Sequence, residues 1–208
     1  MAERVGSIGG GEFPELRELG SVSNVLLLAP SIGAVESDAC HTLLGQTPPE
    51  STNVLGVTFT QTPAERVENW QAHADGPPAR GGIVAVGQTG SDVDEHAWAI
   101  KEVENPTDLT GVGIELSELL SGMAAVAEED DETIVACFDS VTSLLQYADL
   151  QRTFRFLHVV TGRIKSVGGL GHFHVDPAAH SEQDLATIRG LFDAVVEVDE
   201  DGEFTVTR

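Results

Sequence analysis

The stretch 24-NVLLLAPSIGAVESDACHTLL-44 decides the fold. Val25 to Ala29 is a continuous apolar run of strand length, the pattern of a parallel strand covered on both faces. Pro30 to Gly33 breaks that run, and Glu36, Ser37 and Asp38 bring capping and dipole-matching groups to a helix that runs to Leu44. A buried strand, a tight turn and a helix therefore follow one another within 21 residues.

The same alternation continues outward. Val54 to Thr60 reads as a second strand, followed by a helix that opens at Pro63-Ala64-Glu65 and stops near His73, where Asp75-Gly76-Pro77-Pro78 breaks it. Gly82 to Val86 is a third strand. Residues 87 to 108 are polar and irregular, with a short helical turn expected near Trp98. Leu109 to Ala127 carries Val112, Leu116, Leu119, Leu120, Met123 and Val126 on one helical stripe. After an acidic turn, Thr133 to Phe138 is a strand ending at Asp139-Ser140. A helix from about Asp149 to Ile164, a strand from Leu170 to Val175 and a helix from Ser181 to Phe192 come next, and Val195 to Val198 and Phe204 to Val206 close the chain as two strands. Residues 1–20 are expected to form a flexible arm with a short helix at Phe13 to Leu19, and residues 21–208 a single α/β domain with a mostly parallel sheet.

A chain of 208 residues with 41% hydrophobic residues is long enough and apolar enough for a full core. Charge is the outlier, with 34 Asp and Glu against 11 Lys and Arg, a formal net charge of −23. Lys101 and Lys165 are the only lysines. Acidic residues are spread along the chain, and this dispersed acidity with few lysines resembles proteins of salt-loving archaea. Molar salt shortens the Debye length to about 3 Å and screens the self-repulsion. Such a field repels phosphates, so nucleic acid is not expected as a partner. No stretch approaches 18 apolar residues and the first residues carry no apolar run, so neither a membrane span nor a secretory leader is expected; the expected location is cytoplasmic. Cys40 and Cys137 lie in apolar stretches and read as two buried, reduced thiols.

A phosphate-binding loop of the form GxxxxGK[ST] wraps phosphates in backbone amides, neutralises charge with its lysine and holds Mg²⁺ with its hydroxyl. Laid over Ala29 to Glu36, that frame gives APSIGAVE: Ala29 and Ala34 stand at the glycine positions, Val35 at the lysine and Glu36 at the hydroxyl. Two like charges 4 Å apart at an effective dielectric near 20 cost roughly 4 kcal/mol. That is about a thousandfold in affinity.

The second motif is TIVACFDSVTSLL, Thr133 to Leu145. Its apolar strand ending in Asp139-Ser140 resembles the Walker B segment of the RecA superfamily, especially the KaiC-like branch. Element order agrees over roughly residues 22 to 198, and FDSVTSLLQYADLQRTFRFLHVVTGRIKSVGGLGHFHVDPAAH is similar to the C-terminal half of small haloarchaeal proteins of this type. The resemblance implies a three-layer RecA-like α/β domain. It also implies a carboxylate pair after the second strand, where this chain has Thr58-Phe59-Thr60-Gln61-Thr62. Lysine, Mg²⁺ hydroxyl and catalytic carboxylates are all missing. The resulting expectation is a degenerate P-loop fold, a pseudo-ATPase with no catalytic residues and no cofactor, whose vestigial nucleotide positions are Ser31, Gly33, Glu36, Asp139 and Ser140. It would act as a regulatory or interaction protein through a protein partner or self-association.

Two alternatives stay open. One is a divergent ATPase that binds ATP and Mg²⁺ through Asp139 and Ser31; the other role for Asp139 is as a turn residue at a strand end. The second is a metal-dependent hydrolase. His172, His174 and Asp176 alternate along one face of a strand and His180 follows, a set able to bind Zn²⁺, or else polar residues hydrogen-bonded at a strand exit. Finally, Arg152, Arg155, Arg163 and Lys165 gather on or beside one helix, either as a docking face or as partners of the acidic shell.

Overall fold

A computed structural model describes residues 4–7, 22–31, 35–45, 47–88, 93 and 98–208. Its strands are β1 (Arg4–Ser7), β2 (Asn24–Leu28), β3 (Thr52–Thr58), β4 (Arg80–Val86), β5 (Trp98–Val103), β6 (Thr133–Asp139), β7 (Leu170–Val175), β8 (Ala194–Val198) and β9 (Glu203–Thr207). The helices are α1 (Val35–Leu44), α2 (Pro63–His73), α3 (Leu109–Asp130), α4 (Val141–Tyr147), α5 (Leu150–Ser166) and α6 (Glu182–Arg189). The strands form one sheet in the order β1-β9-β8-β2-β7-β6-β3-β4-β5. From β8 to β5 every neighbouring pair is parallel, and β9 and β1 extend one edge antiparallel.

The order of the strands dictates where the helices lie. The chain travels from β2 through β3 to β4 in one direction along the sheet, then returns through β6 and β7 to β8. Right-handed crossovers place the outward helices on one face and the returning helices on the other. Accordingly, α1 and α2 pack on Val25, Leu27, Val54, Ile83, Val135 and Cys137. The helices α3, α4, α5 and α6 pack on Leu26, Leu55, Val84, Phe138 and Phe173. The result is the expected three-layer α/β domain with a mostly parallel sheet.

Local chemistry sets the ends of the helices. Thr62 and Glu65 form a reciprocal capping box at α2, with Pro63 at the start. Asp108, Ser140, Asp149 and Ser181 each accept a backbone N–H at the start of α3, α4, α5 and α6. Gly168, at φ +69°, follows the end of α5 in the left-handed region.

Several expectations are corrected. Residues 4–7 of the supposed arm are strand β1, paired with β9; the expected helix at Phe13 to Leu19 lies outside the described residues. The expected turn near Trp98 is the edge strand β5, and α4 fills the segment between Ser140 and Asp149. Ser37 lies inside α1 instead of capping it, and α6 ends at Arg189, short of Phe192. By length and composition, α3 is apolar enough to cross a membrane, with a mean hydropathy of 1.3, although no such stretch was expected. It packs on the sheet through Val112, Leu116, Leu120 and Met123.

Candidate functional site

Helix α1 leaves β2 and must pass over β7 and β6 to reach β3, because those two strands stand between them in the sheet. That crossing lays Cys40 on top of Cys137 in β6 and His172 in β7, which are direct partners in the parallel register. His174 follows two residues along on the same face, as the strand period requires. The four side chains close into a tetrad. Cys40 Sγ lies 3.5 Å from Cys137 Sγ and 3.2 Å from His172 Nε2, and Cys137 Sγ lies 3.4 Å from His174 Nε2. All four residues are buried, at 1–3% exposure.

The tetrad has a polar surround. Glu36 Oε1, from the first turn of α1, bonds His174 Nδ1 at 2.7 Å. Arg66 of α2 lies against Gly56 on the same face, and its charge acts on Cys137, Cys40 and Asp139. Hydrogen bonding from Cys137 lowers the Cys40 thiol well below its ordinary value, against the opposing effect of burial and with help from His174 and Arg66. Burial pushes His174 down, but the facing cysteines raise it well above an ordinary histidine. Burial lowers His172, with Cys137 opposing.

The edge above the tetrad is where open α/β sheets bind ligands. Here it is carboxylate-rich. Glu36, Asp139 and His174 bring ligand atoms within 4.8 Å of one another. Asp139 Oδ2 accepts from Thr60 Oγ1 at 3.2 Å, and Ser140 Oγ accepts the Ser143 N–H at the start of α4. Ser31 N donates to Asp176 Oδ2 at 3.4 Å, while Gly33 lies outside the described residues. Ser31 and Asp176 therefore meet, as do Glu36 and His174, whereas Ser140 is spent on a helix cap. Two clefts of about 480 and 340 Å³ open around Trp70, and neither is lined by Ser31, Glu36 or Asp139.

The histidine set divides. His172 and His174 share a face as their spacing requires, but they point into the buried layer. Asp176 caps a short 3₁₀ turn, its N–H donates to Thr142 Oγ1 at 2.9 Å, and that hydroxyl also meets His180 Nε2 at 3.0 Å. Cys40, Cys137 and Arg66 were not read as site residues from the sequence. The available signal was an HxH pair inside a fully buried strand, since buried imidazoles require polar partners. On α5, Lys165 pairs with Asp193 at 3.5 Å, Arg152 and Arg163 bond Thr107 O and Ser121 Oγ, and Arg155 is exposed.

Fold and site together define a three-layer α/β protein with a buried Cys-His tetrad beneath a carboxylate-lined sheet edge. The chain belongs to a family of unknown function (DUF7504), whose match spans residues 22–198. No curated protein matches it. Among solved structures it is similar to the flagellar accessory protein FlaH from Methanocaldococcus jannaschii, at 13% identity and a TM-score of 0.48, over 84% of this chain and 70% of that one.

Proposed function

We propose that the protein is a non-hydrolysing regulatory or interaction module on a RecA/KaiC-like frame, a pseudo-ATPase of a salt-adapted archaeal cytoplasm. One observation carries this reading: Glu36, in the first turn of α1, is held at 2.7 Å on His174. A phosphate-binding turn leaves its helix N-terminus open to an anion. In this chain Glu36 and Asp38 supply negative charge to that turn from within, and Asp139 and Asp176 add two carboxylates at the same edge. The nearby cation, Arg66, is engaged by Cys137, Cys40 and Asp139. After β3, Thr58 Oγ1 closes a turn on Gln61, and no carboxylate stands at Thr58 to Thr62 to activate water.

The role left to such a frame is binding to a protein partner or to a second copy, with nucleic acid disfavoured by the charge of −23. Phosphate release from ATP and Mg²⁺ in molar KCl tests the absence of catalysis. No turnover above background is expected. Turnover that Asp139→Ala abolishes would overturn the proposal in favour of a divergent ATPase.

A further inference from the structure

We propose that Cys40, Cys137, His172 and His174 form a closed four-ligand site for zinc or a cation of the same class. Bond lengths of about 2.3 Å to sulfur and about 2.0–2.1 Å to nitrogen put neighbouring ligand atoms of a tetrahedron about 3.3–3.8 Å apart. The Cys40–Cys137, Cys40–His172 and Cys137–His174 contacts measure 3.5, 3.2 and 3.4 Å. All four ligand atoms lie within 4.8 Å of one another. Two thiolates and two imidazoles are a donor set suited to Zn²⁺.

The surroundings complete the chemistry. His174 turns Nε2 towards Cys137 and presents Nδ1 to the Glu36 carboxylate, the carboxylate–histidine pairing that fixes a ligand's tautomer and raises its basicity. Ion binding would release two protons from the tetrad, leaving two thiolates and two neutral imidazoles, and involve no change of oxidation state. One divalent cation and two thiolates then sum to zero charge among the four buried ligands. Hydrogen bonding alone serves such a tetrad poorly, because thiols are weak donors and acceptors. With four protein ligands and no open position, the site is a staple that holds α1 on β6 and β7; a catalytic zinc needs a free position for water. Glu36 acts through His174 and is a positioning residue. None of this depends on the pseudo-ATPase reading, which can fail while the ion site stands.

The test begins with full-length protein purified without a histidine tag under reducing conditions. Elemental analysis is expected to find one zinc per chain. After chelation, Co²⁺ is expected to give tetrahedral visible bands with a near-ultraviolet thiolate charge-transfer band, and both thiols are expected to resist a thiol reagent until the ion is removed. Glu36→Gln should keep that spectrum and lower Zn²⁺ affinity about 10–100-fold in competition with a chromophoric chelator. Cys137→Ser should weaken the thiolate band; if that variant does not fold, the Co²⁺ spectrum and thiol protection of the natural protein decide. The proposal is overturned by the absence of both stoichiometric zinc and a thiolate–Co²⁺ band. Unchanged affinity in a folded Cys137→Ser protein, or isolation with a Cys40–Cys137 disulfide and no metal, would overturn it equally.

Discussion

The two faces of the central sheet differ in the polar groups they bury among apolar contacts. Beneath α3, α4, α5 and α6 the contacts are mainly apolar: Leu26, Leu55, Val84, Phe138 and Phe173 meet Val112, Leu116, Leu120, Leu144, Leu157 and Ile188. Beneath α1 and α2 the same strands present Cys137, His172 and His174, with Cys40 and Arg66 above them. In β7 the contrast falls within three residues, since Phe173 points one way between two histidines that point the other. Apolar burial is non-directional and tolerates many sequences. Buried thiols and imidazoles cost stability unless each finds a partner. Both faces pack through apolar clusters, and the second also keeps chemistry that packing alone does not require.

Substitutions can break or sharpen that contrast. Phe173 is 1% exposed and contacts the rings of Phe138 and Phe192. Phe173→Ala is expected to cost about 3–5 kcal/mol in denaturant unfolding measured in molar KCl. A cost below about 1 kcal/mol would remove the distinction between the faces. Gly81→Ala should follow, because an added Cβ would lie 2.3 Å from the Trp98 ring on the α2 side. Overpacking of this kind costs about 1–3 kcal/mol, and the Trp emission maximum, which follows the indole environment, should shift with it.

Smaller effects separate packing from capping and charge. Ser140→Ala removes the cap of α4 and is expected to cost about 1 kcal/mol in the same unfolding measurement; a much larger loss would point to a role for Ser140 beyond the cap. The smallest effect concerns Asp193, whose carboxylate accepts the N–H groups of Ser23 and Asn24 at the start of β2. Burial opposes its charge, but these two bonds and Lys165 hold its pKa below the ordinary carboxylate value. Its stabilisation is present above the unfolded-state pKa and is lost as pH falls through the lower folded-state pKa. Asp193→Asn should flatten that part of an acid-unfolding curve, and an unchanged curve would show that the carboxylate contributes nothing there.

Much of the frame is legible in the sequence because parallel strands covered on both faces read as unbroken apolar runs: Val25 to Ala29, Gly82 to Val86 and Thr133 to Phe138 each coincide with a strand to within two residues. The edge strand β5 was hidden because Ala99, Lys101 and Glu102 leave it half exposed and without such a run. Helix α4 is only seven residues long, too short for a helical period to stand out. The site was half legible. His172 and His174 share a face by spacing alone, but Cys40 and Cys137 are 97 positions apart and meet only because α1 crosses β7 and β6. Glu36 was legible as a charge hostile to phosphate; its partner, 138 positions away, was not.

Equilibrium titration of the natural protein with ATP and Mg²⁺ in molar KCl tests most directly whether Glu36 closes the phosphate position. No saturable binding at micromolar nucleotide is the expected result, with His174 still paired to Glu36. Stoichiometric micromolar binding would contradict it.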